Sequence, residues 1–308
     1  MPRLRPLPLI LTAAAATVAV RAARRPVQTI NALTPRLGLH IYRDLAYGPD
    51  ARHRLDLYAP AIRALAPTVV FVHGGNWTSG DKGMYIFVGE SLARAGFVTA
   101  VINYRLAPGH RYPDSVHDTA LATAWLHANA ARFGGDPARL FLTGHSAGAF
   151  NAVALASHPH WLGESGVPHA HLRGVVGIAG PYDVDFRLYP GSEPAQAFPE
   201  GGDPALIMPN RFVRLDPPPA PTLLLTAGRD QVVGPEQAPL MAAALRAAGG
   251  EVTLQVLPRL DHYTIMGAMS RNLRFLGDTR AAVVNFIRAH AAPAPASAAT
   301  PEPERLGA

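Results

Sequence analysis

The chain has 308 residues, 48% of them hydrophobic and 16% charged, and can bury one large core; a single domain of about 250 residues with two tails is the simplest partition. The absence of cysteine excludes disulfides, thiolate metal sites and a cysteine nucleophile together. The formal charge of +6 is local: seven of the 28 basic residues fall in residues 1–43, which hold no acid, so 21 basic residues face 22 acidic ones elsewhere, a balance that argues against a nucleic-acid partner.

Arg3 and Arg5 precede an apolar run from Leu7 to Val20, and Arg21, Arg24 and Arg25 follow it. The run has the length of a signal-peptide core and is short for a membrane span of roughly 20 residues. Small residues around Ala14 to Ala19 offer cleavage sites, whereas the trailing arginines oppose translocation. Residues 1–25 are therefore expected to act as an export signal or an uncleaved membrane anchor. An Arg-rich organellar presequence or an apolar arm packed on the domain are the alternatives, and without export the chain would be cytoplasmic.

From residue 39 the chain alternates strand-like and helix-like runs. Leu39 to Ala46 and Arg54 to Tyr58 flank Gly48-Pro49-Asp50 and read as a hairpin. Strands are predicted at Thr68–Val72, Val98–Asn103, Leu140–Thr143, Gly174–Ile178, Thr222–Thr226 and Val252–Leu257, and helices at Met84–Ala95, Ser115–Phe133, Ser146–Ser157, Glu236–Ala248 and Thr279–His290. This rhythm predicts an α/β fold over 39–292: a mostly parallel sheet of about eight strands with helices on both faces. Tyr182 to Asp216, rich in Pro and Gly, is expected to be a lid or a substrate-facing loop. Residues 293–308, dominated by Pro, Ala, Ser and Glu, are expected to form a disordered tail.

The chemistry centres on Gly144-His145-Ser146-Ala147-Gly148, which follows a strand and opens a helix. In that context a G-x-S-x-G pentapeptide places one serine on a strained turn at a helix N-terminus. A serine hydroxyl needs a base, and the base needs an orienting group. His262 lies after the last strand and Asp230 just past the strand before it, giving the chain order Ser146, Asp230, His262 at strand C-terminal ends. Asp261 is adjacent to His262 and diverges from it, and Asp183, Asp185 and Asp216 follow the wrong strand. Val72-His73-Gly74-Gly75-Asn76-Trp77 ends another strand with exposed backbone, so the amides of Gly75, Asn76 and Ala147 are the predicted oxyanion hole.

Other clusters carry less. His158, His160, His169 and His171 form two H-x-H pairs on a Pro-rich segment and read as surface loop histidines rather than a metal site. Asp114 and Asp118 suit a helix N-terminus. Trp77, Trp125 and Trp161 read as core or pocket walls, and Tyr104 and Arg105 as supports of the site's loop. Lys82 is the single lysine, so arginine carries nearly all the positive charge, a usage that reads as coding bias rather than chemistry.

His73-Gly74-Gly75-Asn76-Trp77, Ser79-Gly80-Asp81-Lys82, Asn103-Tyr104-Arg105-Leu106-Ala107-Pro108, Phe133-Gly134-Gly135-Asp136-Pro137 and Gly144-His145-Ser146-Ala147-Gly148 together resemble the α/β-hydrolase superfamily, in the esterase/lipase branch with a His-Gly-Gly oxyanion loop. The resemblance covers about residues 40 to 290. Asn76 stands where the hormone-sensitive-lipase group has a third glycine, and with Trp77 and Ser79-Gly80-Asp81-Lys82 it leans toward the feruloyl-esterase and kynurenine-formamidase groups. The expectation is a serine hydrolase that cleaves small-molecule carboxylic esters through an acyl-enzyme, without metal or organic cofactor. Arylformamide hydrolysis by the same three residues is the nearest alternative, and a catalytically silent binding protein on this fold is the second.

Overall fold

The computed structural model describes residues 26–61, 65–201, 203–213 and 215–292. The expected signal or anchor segment, residues 1–25, and the expected tail, residues 293–308, lie outside the described residues.

The chain opens with α1 (Pro26–Leu33), followed by β1 (Leu39–Ala46), β2 (Arg54–Pro60), β3 (Ala66–Val72), α2 (Ile86–Ala93) and β4 (Val98–Ile102). Next come α3 (Asp114–Asn129), β5 (Gly135–His145), α4 (Ala147–Ser157), α5 (Pro159–Glu164), β6 (Leu172–Ile178) and β7 (Thr222–Ala227). The last elements are α6 (Gln237–Ala247), β8 (Val252–Leu257), α7 (Thr264–Gly267) and α8 (Thr279–His290). The strands form one sheet in the order β1-β2-β4-β3-β5-β6-β7-β8. β1–β2 and β2–β4 pair antiparallel, and every other pair is parallel.

Side chains alternate across the pleat, so each central strand feeds two cores. Val70, Val72, Leu140, Leu142 and Leu224 pack with α3, α4 and α6 on one face. Val69, Phe71, Phe141, Leu223 and Leu225 pack with α2, α7 and α8 on the other. The inner strands β3, β4, β6 and β7 are buried on both faces and read as near-continuous apolar runs, which is why they were visible in the sequence. Each fully buried Leu, Val or Phe contributes about 1.5–3 kcal/mol by removal from water.

Some boundaries differ from expectation. The predicted helix at 84–95 splits into a 3₁₀ turn, Lys82–Tyr85, and α2, because the Asp81 carboxylate accepts from Gly83 N–H and caps a tight first turn. The predicted helix at 115–133 is α3 followed by a 3₁₀ turn, Ala130–Phe133, which ends at Gly134 with φ of 82°. α1, α5 and α7 were not predicted. They have eight, six and four residues, too short for a periodic apolar stripe to stand out.

Lys82 is not an accident of coding. Its ammonium is buried and lies 2.7 Å from both Asp44 and Asp56 carboxylates, and Asp56 is itself buried. Its amide donates to Asn103 Oδ1 at 2.6 Å, and Asn103 Nδ2 donates to Asp81, so this ion pair fastens the segment after the His-Gly-Gly turn to β2 and to the end of β4. Replacing Lys82 by Met leaves the buried Asp56 carboxylate with the Asp44 amide at 2.9 Å and the half-exposed Arg43 guanidinium at 3.3 Å, and without its buried cation. Urea titration is expected to show a loss of about 3 kcal/mol, the low end for breaking a buried pair; unchanged stability would remove this role.

Candidate active site

The parallel register brings the C-terminal ends of β3, β5, β7 and β8 to one end of the sheet. Val72 pairs with Gly144 and Ala227 with Leu257, and the residues that follow these positions form the site. Open α/β sheets gather ligands at this end because the loops there diverge and leave a crevice.

Ser146 sits between β5 and α4 with φ of 54° and ψ of −123°, a conformation costly for a residue with a Cβ. The flanking glycines permit it. A Cβ on Gly144 would lie 2.1 Å from Gly148 O, and one on Gly148 would lie 2.2 Å from Val72 O and 2.5 Å from His73 O. Helix α4 therefore presses its first turn directly on the end of β3. Ser146 N–H donates to Ile178 O at 2.9 Å, which ties the turn to β6 as well.

Asp230 follows β7, and its carboxylate is shared. Oδ2 lies 2.9 Å from His262 Nδ1, while Oδ1 accepts from the amides of Val232 at 2.8 Å and Val233 at 2.9 Å. Burial works to raise its pKa, but the hydrogen bonds from His262, Val233 and Val232 outweigh burial and hold the carboxyl below its ordinary value. An ionised Asp230 accepts a proton-bearing Nδ1, which leaves Nε2 of His262 as the basic nitrogen. The ring is buried.

The remaining acids are engaged elsewhere. Asp261 Oδ1 accepts from Tyr263 N, Thr264 N and Thr264 Oγ1 at 2.8–3.0 Å and so caps α7. Asp183 pairs with Arg211 at 3.1 Å, Asp185 pairs with Arg187 at 2.8 Å, and Asp216 is exposed.

His145 is the contact between His262 and the Ser146 turn, and sequence reasoning missed it. Its Nε2–H donates to the His262 carbonyl at 3.0 Å, and the two rings pack with centroids 4.8 Å apart. On its other side Tyr85 Oη lies 3.4 Å from His145 Nδ1 and accepts from Gly74 N–H at 3.3 Å. The loop after β3, the Ser146 turn and His262 are thus braced together. Among the described residues, Ser146 Oγ makes no direct hydrogen bond to His262; in free enzymes such contacts are commonly long and close on substrate binding.

The turn after β3 has Gly75, Asn76 and Trp77 at φ of 132°, 54° and 60°. The Gly75 carbonyl accepts from Thr78 and Ser79 amides, which folds the turn back and frees the preceding edge. Among the described residues, the amides of Gly75, Asn76 and Ala147 have no acceptor, so the structure leaves all three predicted donors available. His73 braces the turn from below, donating Nδ1–H to Gly74 O at 2.8 Å and stacking on Tyr104 with centroids 4.3 Å apart. Tyr104 Oη donates to His73 O, and Arg105 forks onto the buried Asp118 at 2.7–3.0 Å, so both residues support the loop as expected.

Two further side chains escaped the sequence. Asn151 on α4 accepts from Trp77 Nε1 at 2.9 Å, pinning the turn after β3 to the nucleophile helix. Gln237, at the start of α6, accepts from the amides of Tyr182 and Asp183 and anchors the Tyr182–Asp216 segment. Among its described residues that segment carries four 3₁₀ turns, and it packs Phe186 and Phe198 edge-on against Trp77. Asn76 Nδ2 donates to Glu193 at 3.1 Å. Between this cover and Ser146 lies a cavity of about 340 Å³, walled mainly by Trp77, Val184, Phe186, Val232 and Val233.

The expected loop histidines sit apart from it. His158 stacks on Trp161 with centroids 4.4 Å apart, and His171 lies 2.9 Å from His127.

Burial pushes His145 down to about 3 and His73 down to about 4. In the unfolded chain a histidine titrates near 6.5, so below that pH the unfolded state binds about two protons that the folded state refuses. Stability is complete above pH about 6.5 and is lost as the pH falls toward these depressed values. Urea unfolding between pH 6 and 5 is expected to weaken by up to about 2.7 kcal/mol per pH unit, and His145→Gln should cut that slope by about one proton. A wild-type stability independent of pH in this window would contradict the assignment of two buried neutral rings.

Comparison with known proteins agrees with this architecture. The BD-FAE family model matches residues 55–245. A probable isoprenylcysteine alpha-carbonyl methylesterase of Oryza sativa subsp. japonica is 39% identical over 151 residues, 47% of this chain and 35% of that protein. Esterase LipC of Mycobacterium tuberculosis is 35% identical over 178 residues, 55% of this chain and 43% of that protein. The chain thus spans about a quarter to a half of the length of the curated relatives it matches. Esterase B of Lactobacillus rhamnosis, in a phosphonate-inhibited structure, superposes with a TM-score of 0.71 at 22% identity, covering 93% of this chain and 97% of that one. A truncated carbohydrate esterase from gut microbiota gives a TM-score of 0.69 at 21% identity, covering 84% and 100%. The fold is that of the α/β-hydrolase esterases, and the chain belongs to the BD-FAE family.

Proposed function

We propose that the protein is a serine esterase that hydrolyses small carboxylic esters through an acyl-enzyme. The observation that carries the reading is the Asp230–His262 pair at 2.9 Å, built from two strand ends and packed through His145 against the strained Ser146 turn. A hydrogen-bonded carboxylate–imidazole pair of this kind has no structural need to sit beside a strained Ser turn. The names of the relatives, esterases and methylesterases, point the same way.

In this reading His262 Nε2 takes the Ser146 proton as Oγ attacks the ester carbonyl. Asp230 holds the Nδ1–H tautomer and stabilises the imidazolium that forms. The amides of Gly75, Asn76 and Ala147 receive the oxyanion, and because their backbone is fixed by the Gly75 turn and by α4 they need little reorganisation; each donor is worth about 3–4 kcal/mol in the transition state. The imidazolium then protonates the leaving alkoxide, and water enters to release the acid by the same steps in reverse. The aromatic and valine walls of the 340 Å³ cavity suit an apolar group of modest length, with Asn76, Ser192 and Gln237 supplying polar edges.

Turnover of short p-nitrophenyl esters tests this directly. Ser146→Ala is expected to abolish it, and Asp230→Asn to lower kcat about 10⁴-fold by inverting the tautomer, each with wild-type melting behaviour. A Ser146→Ala variant as active as the parent would defeat the reading.

A further inference from the structure

The end of the sheet opposite Ser146 carries a feature that ester hydrolysis does not use. An open depression of about 830 Å³ lies where β3 begins, lined in part by Leu65, Arg94, Arg271, Arg274 and Arg280. Arg288 reaches its rim by donating to Ala95 O at 3.2 Å. The acid in contact with these arginines is the buried Glu90, which pairs with Arg94 and lies 3.4 Å from Arg271. Arg280 is spent on Ser91, donating to its Oγ at 2.8 Å and to its carbonyl at 3.3 Å. Arg274 is exposed and, among the described residues, has no acceptor. Five guanidiniums thus crowd one face where, among the described residues, a single carboxylate pairs with two of them, an arrangement that stores mutual repulsion and draws anions. Burial and then the neighbouring Arg271 lower the pKa of Arg280, consistent with crowding of like charge.

Charge is half of the pattern. Leu37 is 89% exposed, Leu65 67% and Phe275 76%, and these bare apolar side chains flank the arginines. A small soluble anion would answer the guanidiniums and leave the apolar side chains in water. A membrane surface answers both, with phosphate-bearing headgroups over the arginines and the acyl boundary against Leu and Phe. Chain continuity adds to this. Asn272 Nδ2 donates to Leu33 O at 2.9 Å, so α1 ends on this face, and its start at Pro26 is one eight-residue helix, about 12 Å, away. Directly before Pro26 the sequence holds the apolar run Leu7 to Val20 and the basic Arg21, Arg24 and Arg25.

We propose that this face docks the protein on anionic membranes, with the exposed Arg271 and Arg274 meeting lipid phosphates and Leu37, Leu65 and Phe275 entering the interface. The site cavity then faces away from the bilayer, since the two features occupy opposite ends of the parallel strands. The proposal stands apart from the hydrolase reading.

The test is co-sedimentation of the full chain with phosphatidylcholine vesicles, with and without phosphatidylglycerol. Wild type is expected to prefer the anionic vesicles and to be released by salt. Arg274→Glu combined with Phe275→Ser changes two exposed side chains and two charges, and should lower the anionic partition about 25-fold or more at roughly fivefold per charge. An unchanged melting temperature shows that the variant is folded, and Leu37→Ser offers a second, weaker variant in the same direction. Equal partition of variant and wild type would place any binding elsewhere, in the N-terminal segment for example, and overturn the proposal. So would equal wild-type binding to neutral vesicles, or a thermal shift with inorganic phosphate at matched ionic strength in the absence of vesicle binding, which would make the face a soluble-anion site.

Discussion

The contact on which the rest of this molecule depends is the approach of the first turn of the nucleophile helix to the end of β3. Gly148 lies so close to the Val72 and His73 carbonyls that no side chain fits between them. That approach accompanies a positive φ at Ser146 and sets the N-terminus of α4 against the end of β3, from which the His73–Trp77 turn departs. Two parallel strands paired in register, Val72 with Gly144, make the approach inevitable once the glycines are present. The geometry of the candidate site and the packing of the sheet are therefore one constraint.

Around that contact the molecule spends buried polar groups on bracing. Tyr85 and His145 connect the loop after β3 to the carbonyl of His262, while Trp77 and Asn151 connect it to α4. Lys82 fastens the same segment to β2 through Asp56. Buried hydrogen-bonded groups of this kind are costly if any partner is lost, so they hold one arrangement. The burial that keeps His145 neutral also means that its Nε2–H and Nδ1 have fixed roles, and the position of the base does not drift with its own protonation.

Much of this was legible in the sequence, for physical reasons. Strands buried on both faces announce themselves as apolar runs, and the glycines at 144 and 148 announce a close approach. The order Ser146, Asp230, His262 follows because each residue had to lie just past a strand. Asp261 could be set aside in advance, and it caps α7. What the sequence hid depends on distance in space rather than position in the chain. His145 reads as the variable residue of a pentapeptide until its ring meets a carbonyl 117 residues away. Lys82 reads as compositional accident until two carboxylates close on it. Asn151 and Gln237 read as ordinary helix residues, and the short helices α1, α5 and α7 leave no periodic trace. The Tyr182–Asp216 segment was recognisable as a cover by its length, but its aromatic seat on Trp77 was not.

The central claim is that Ser146 is a nucleophile made reactive by His262 and by amides fixed in advance. Reaction of the native chain with a fluorophosphonate, followed by peptide mapping by mass spectrometry, tests it at the atom concerned. The account predicts a single adduct on Ser146 that is lost in a His262→Ala variant. No adduct, or one on another residue while Ser146 stays unmodified, would contradict it.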